Sequence, residues 1–244
     1  MPVKNAIKTY KENGFYHIYN RGVEKRKIFL DEQDYRVFLS YLKLYLIPKE
    51  ESVNNIKNNE DLTLEEKNEK ISRVLVLNNL FNKIHLLCYA LMPNHFHFEL
   101  KQTNKKDIEV FMRSLITKYT MYFNRKYKRV GPLFQGRYKA VLIQSEEYLL
   151  HLSRYIHLNP QELLTKGQLL QSYPWSSYPA YIDNLSINWL KKDLILSNFK
   201  TNKSFSFDSY QKFVESYKER LEEEEKAYRG LLLDLGHSLK GQSL

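Results

Sequence analysis

Cysteine is all but missing from this sequence. Cys88 stands alone among 244 residues, so no intramolecular disulfide can form, and its place in an apolar run makes a buried structural thiol the expected role. No segment approaches the ~18 consecutive apolar residues that a membrane span needs. Met1 to Asn5 contains no signal-type apolar stretch, and a cytoplasmic protein without a membrane partner is the expectation. There is no internal repeat or low-complexity block, and no phosphate-cradling Gly-Lys-Ser/Thr loop, which argues against nucleotide-driven chemistry. Acidic residues are the minority, 28 against 38 Lys and Arg, for a net charge of +10 and a pI near 9.3. Such a surface suits a polyanion, nucleic acid before membrane, since no basic amphipathic helix or lipidation signal is present. Charge alone equally fits a merely basic cytosolic protein.

What is present is apolar and aromatic residue in quantity, 43% and 14% of the chain. That is enough for one sizeable core with appendages. The most informative stretch is Met92-Pro93-Asn94-His95-Phe96-His97-Phe98-Glu99. Before it, Ile84 to Leu91 has the length and make-up of a buried strand, Pro93-Asn94 breaks that strand, and a second extended run follows from His95 to Leu100. Residues i and i+2 of a strand share a face. His95 and His97 therefore project together while Phe96 and Phe98 enter the core. Two imidazoles at that spacing can hold a divalent ion if another ligand joins them. Two half-exposed strand histidines is the plain alternative.

The rest of the chain supplies context. Phe15 to Asn20 alternates as a first strand closed by Arg21-Gly22, and His17 on it either points toward the site or is a cross-strand partner, the reading preferred here. Asp31 caps a helix with Tyr35, Phe38, Leu39, Leu42 and Tyr45 at helical spacing, stopped by Pro48. Residues 49–73 turn to Asn, Glu and Lys and read as a charged insertion, partly disordered or forming a solvated helix across Leu64 to Lys67. Asp107 opens a long helix through Ile108, Phe111, Met112, Leu115, Tyr119, Tyr122 and Phe123. Tyr127 to Lys139 is a glycine-punctuated turn rich in cations and rings, either a platform for single-stranded nucleic acid or a solvated basic hairpin. A strand from Tyr138 to Ile143 follows.

Ser145-Glu146-Glu147 starts a further helix, which stops before Pro160 because the residue before proline resists the α conformation. His151, Tyr155 and Asn159 form an i, i+4, i+8 row on it. They are a candidate nucleophile beside a candidate ligand, or a core-edge tyrosine with a C-terminal Asn cap. The aromatic link Tyr173 to Tyr178 leads to a helical tail with Trp189, Leu190, Leu194, Ile195 and Phe199, then Tyr210, Phe213, Val214 and Tyr217. The charged run Glu222 to Lys226 reads as a solvated helix face.

Four stretches in this order resemble the single-tyrosine transposases of the HUH superfamily, in particular the REP-associated branch. They are Phe15 to Gly22, Tyr89 to His97, Arg129 to Tyr138, and Arg154 to Pro160. The resemblance implies an α+β fold with a ferredoxin-like antiparallel sheet and helices packed on one face. It spans residues 10–180, with 49–73 as the insertion and 181–244 as a helical C-terminal extension. It further implies Tyr155 as nucleophile, and His95, His97 and Asn159 as ligands of Mg2+ or Mn2+. Tyr119 and Tyr122 are rivals to Tyr155, but only Tyr155 has a polar partner one turn on. Arg129, Arg137, Lys139 and Arg154 would grip single-stranded or hairpin DNA. The activity implied is cleavage and rejoining of DNA through a 5′-phosphotyrosine, by a nucleoid-associated protein that could act as a homodimer. Two other readings stay open: a domesticated hairpin-DNA-binding protein without catalysis, and a metal-dependent nuclease that uses water.

Overall fold

The computed structural model describes residues 10–183, 185–201 and 209–216. Four strands, β1 (Phe15–Arg21), β2 (Ile84–Met92), β3 (His95–Gln102) and β4 (Lys139–Ile143), form one antiparallel sheet in the order β2-β3-β1-β4. Helix α1 (Glu32–Leu46) connects the first strand toward the second and α4 (Asp107–Lys126) connects the third to the fourth. This β-α-β-β-α-β path with that strand order is the ferredoxin-like arrangement expected from the sequence.

The period-2 alternation of β3 divides the molecule. Phe96 and Phe98 face α1, where the Phe38 ring lies 5.6 and 6.1 Å from theirs. Phe29, Tyr119 and Phe134 close the same layer. Helix α1 starts where the Asp31 side chain accepts from the Asp34 amide at 3.1 Å. It ends at Ile47, held extended by the proline that follows. The opposite face carries His95, His97 and Glu99, covered by α5 (Glu146–Leu158), which begins at the Ser145 cap.

The charged stretch after Pro48 takes the helical one of its two expected forms, over more residues than Leu64 to Lys67. It folds as α2 (Lys49–Lys57) and α3 (Leu64–Val76). Few apolar residues are available to hold them, so local bonds start α3: Thr63 and Glu66 form a reciprocal capping box. A Glu69–Arg73 ion pair adds one i, i+4 contact.

The chain after α5 closes over the outer edge of β2 and onto α5. The Leu91 amide donates to the Trp175 carbonyl and the Ser177 amide to the Tyr89 carbonyl, each at 2.9 Å, while the Lys191 amide donates to the Leu86 carbonyl at 2.8 Å. These bonds satisfy an edge that would otherwise be open to another strand. Helices α6 (Tyr178–Ile182), α7 (Asp193–Thr201) and α8 (Tyr210–Glu215) follow. A buried chain of hydrogen bonds locks α8 to α5. His157 Nδ1 donates to the Tyr210 hydroxyl at 2.7 Å, which donates to Ser153 Oγ at 3.0 Å, while His157 Nε2 accepts from the Ser177 hydroxyl at 2.7 Å. Burial drops the His157 pKa to about 3, so the ring is neutral and can accept on one nitrogen while donating from the other. The expected helix face at Glu222 to Lys226, and Tyr217, lie outside the described residues.

Candidate active site on the covered face of the sheet

Register places the polar side chains of this face in three rows. One row is Cys88, Glu99, His17 and Val141; the next is Ala90, His97, Tyr19 and Lys139; the last is Met92, His95 and Arg21. Residues paired across antiparallel strands point to the same side. The His-x-His spacing thus becomes a pair of adjacent imidazoles, with ring centroids 5.0 Å apart and nearly perpendicular at 88°. Ala90, opposite His97, adds no bulk beside the ring.

Each histidine of the pair has a partner for its Nδ1. His95 Nδ1 lies 2.6 Å from Asn94 Oδ1, and His97 Nδ1 lies 2.9 Å from His17 Nε2. His17, read from sequence as a cross-strand partner, is therefore part of this cluster. Its ring stacks on His97 at 5.2 Å, and burial lowers its pKa to about 3. Glu99, at the deep end of the rows, accepts from the Cys88 thiol at 3.1 Å. Burial pushes its pKa up to about 8, which keeps the carboxyl protonated at neutral pH, and raises that of Cys88 as well.

Helix α5 brings Tyr155 over the pair. Its ring stands at 85° to that of His97 with centroids 5.6 Å apart, and at 80° to that of His17 at 6.2 Å. The two rival tyrosines are on α4, beneath the other face. Tyr119 is fully buried with its hydroxyl donated to the Ile28 carbonyl at 2.5 Å, and burial raises its pKa far above the ordinary phenol value. Tyr122 donates to Asp34 at 3.0 Å. Asn159 sits one turn beyond Tyr155, where its Nδ2 donates to the Tyr155 carbonyl at 2.9 Å. It is tied to the tyrosine backbone rather than to either histidine, and its Oδ1 is the atom with ligand character.

The basic residues separate. Lys139 is exposed and shares a row with His97, and Arg137 is exposed on the turn beside it. Arg129 is half-buried, with Nη1 donating to Asn124 at 2.9 Å and its guanidinium near the Phe123 ring. Arg154 departs from the sequence-based expectation. It is 2% exposed, its guanidinium lies 4.4 Å from the Phe213 ring centroid, and it donates to His151 Nδ1 at 2.6 Å. It packs α8 onto α5 and is almost wholly shielded from solvent.

Arg21 was not singled out in the sequence, and of the two readings of His17 the structure shows both, a cross-strand partner of Glu99 and a member of this cluster. Arg21 pairs with His95 and donates to Gln135 at 2.5 Å. The signal existed in the alternation His17, Tyr19, Arg21 along β1, but which face it joined depends on strand pairing. The glycine turn docks at the end of the same strand: the Gln135 amide donates to the Arg21 carbonyl at 2.8 Å and the Val23 amide to the Leu133 carbonyl at 3.0 Å. Gly136 takes φ +71°, a conformation glycine adopts without penalty. At Gly22 a Cβ would meet the Arg26 carbonyl at 2.2 Å, so the chain can fold back only without a side chain there.

A divalent ion fits the histidine pair in part. An imidazole whose Nδ1–H is donated to a partner presents Nε2 as the ligating atom, and His95 meets that condition through the Asn94 carbonyl oxygen. Among the described residues no group of three His, Cys, Asp or Glu is arranged to hold a metal ion. The further ligands then have to be of another kind, an amide oxygen, water or a substrate oxygen. No helix among the described residues is long and apolar enough to cross a membrane.

This face brings together paired histidines, an adjacent phenol and, at one rim, the exposed Arg137 and Lys139. Residues 49–159 match the family model described as transposase IS200-like, a stretch that holds both histidines, the glycine turn and Tyr155 and ends at Asn159. The likeness to single-tyrosine transposases read from the motifs is borne out by that match. Among solved structures, a REP-associated tyrosine transposase bound to a REP hairpin matches with 14% identity and a TM-score of 0.46, over 74% of this chain and 86% of that one. No curated protein matches the chain.

Proposed function

We propose that the protein is a transposase that cleaves and rejoins single-stranded or hairpin-flanking DNA through Tyr155. The observation that carries this reading is the Tyr155 ring standing 5.6 Å from His97, on helix α5, which covers the histidine face. The Tyr155 hydroxyl attacks the scissile phosphorus. A tyrosyl O–P bond forms, the P–O3′ bond breaks, and the departing 3′ oxygen takes a proton. The products are a 5′-phosphotyrosine and a free 3′-OH, and attack by a 3′-OH reverses the step. One bond replaces another of the same kind, so no nucleotide hydrolysis is required. His95 and His97, with Asn159 Oδ1, would hold Mg2+ or Mn2+, which when bound supplies Lewis-acid polarisation of the scissile phosphate.

Arg137 and Lys139 on the rim, with Arg129 behind them, suit a single-stranded backbone, and the +10 charge suits a polyanion generally. A nucleoid-associated location in the cytoplasm goes with that partner. Incubation of the protein with labelled single-stranded hairpin oligonucleotides and Mn2+ tests the reading, with Tyr155→Phe and His95→Ala in parallel. The expected result is a denaturant-resistant protein–DNA band lost in both variants. Cleavage without an adduct, or hairpin binding unaccompanied by any cleavage, would overturn it.

A further inference from the structure

His17 raises a question about protons. Its Nε2 is 2.9 Å from His97 Nδ1, and two imidazole nitrogens at that distance share one proton, one ring donating and the other accepting. If His17 donates, the remaining proton of neutral His97 sits on Nε2 and that atom cannot bind a cation. If His97 donates, Nε2 carries the lone pair. His95 settles the same choice by a different device. Asn94 Nδ2 donates to the Lys25 carbonyl at 3.5 Å, which orients the amide, so Oδ1 faces His95 and can only accept the Nδ1 proton.

We infer that His17 is a positioning residue of the site, accepting the His97 Nδ1 proton and so turning His97 Nε2 into a ligand atom matched to that of His95. The inference rests on the metal-binding reading above. The geometry gives His17 a second effect: its ring stacks against His97 at 20° and stands edge-to-face with Tyr155 at 80°, so one side chain fixes both the ligand ring and the wall beside the phenol. Outer-shell partners of ligating histidines act in this way, setting tautomer and ring orientation.

The first measurement needs no substitution. Long-range 1H–15N correlation spectra of the metal-free full chain report the tautomer of each histidine, with His97→Gln used for assignment. His97 as the Nδ1–H form is the expected result, and His97 as the Nε2–H form overturns the inference. The second measurement follows free Mn2+ by electron paramagnetic resonance in titrations of the wild type, His17→Phe and His17→Gln. His17→Phe keeps ring bulk but offers no acceptor, and its Mn2+ affinity should fall roughly 10- to 100-fold, the usual cost of losing an outer-shell partner. His17→Gln, whose amide oxygen can accept, should recover part of that loss. A folded His17→Phe variant that binds Mn2+ like the wild type refutes the role. Wild-type protein that binds no Mn2+ refutes the metal reading itself, a result distinct from a loss confined to the His17 variants.

Discussion

Arg154→Ala separates a structural cation from a substrate-binding one. The guanidinium lies over the Phe213 ring at 4.4 Å and donates to the neutral His151 Nδ1 at 2.6 Å, in surroundings that leave it 2% exposed. A desolvated cation–π contact contributes about 2 kcal/mol, and a hydrogen bond from a charged group about 1.5–3 kcal/mol. The two are not additive, and truncation also opens space between α5 and α8, so the net cost is set at about 2–4 kcal/mol. At roughly 2–4 °C per kcal/mol for a chain of this size, Tm should drop by roughly 4 to 16 °C. The assay pairs a thermal melt with hairpin-DNA binding measured well below the variant's Tm. Binding within about twofold of the wild type is expected, because a guanidinium that is 2% exposed has almost no surface to offer a phosphate. A variant that melts like the wild type but loses DNA affinity would refute this account of Arg154.

Arg137→Ala and Lys139→Ala should do the opposite, leaving Tm unchanged while weakening binding to single-stranded DNA of any sequence. Each lost phosphate contact should reduce the slope of log K against log salt by about 0.7, read from titrations across a salt series. His151 predicts a pH effect. Burial and then Arg154 lower its pKa to about 4 from 6.5, so the unfolded chain binds its proton first as pH falls. Its contribution is complete above the unfolded value and is lost as pH drops through about 6.5 toward 4. His151→Gln, which keeps an acceptor for Arg154, should flatten that acid limb in urea denaturation measured pH by pH, and an unchanged limb would show that other groups set it.

Most of the scaffold was legible because period and punctuation agreed. The alternation at His95 to Phe98, the Asp31 and Ser145 caps and the two stopping prolines each named an element, and the elements in order implied the sheet. Tyr155 was legible for a related reason: it shares a helix row with Asn159, whereas Tyr119 lies in register with the apolar stripe that the core buries. What stayed hidden depended on tertiary pairing. His17 joins the site only because β1 pairs with β3 in the register that sets Tyr19 opposite His97, and a shift of one residue would turn it to the other face. Arg154 looked like a surface cation because its cover, α8, is distant in sequence. Composition left residues 49–73 open between disorder and a solvated helix, since it does not weigh the capping and ion pairs that sustain helices burying little.

The hydrogen-bond chain from Ser153 through Tyr210 joins residues 57 positions apart, and it has a consequence for the order in which the site can be completed. The helix bearing Tyr155 borrows its outer packing from a segment synthesised well after it. While the chain is emerging from the ribosome, sheet and histidine pair can form with Tyr155 still unclamped above them. On the function proposed above, activity would wait for α8, since a chain interrupted before it would carry His95, His97 and Tyr155 but lack the Tyr210 bonds that brace the helix above them.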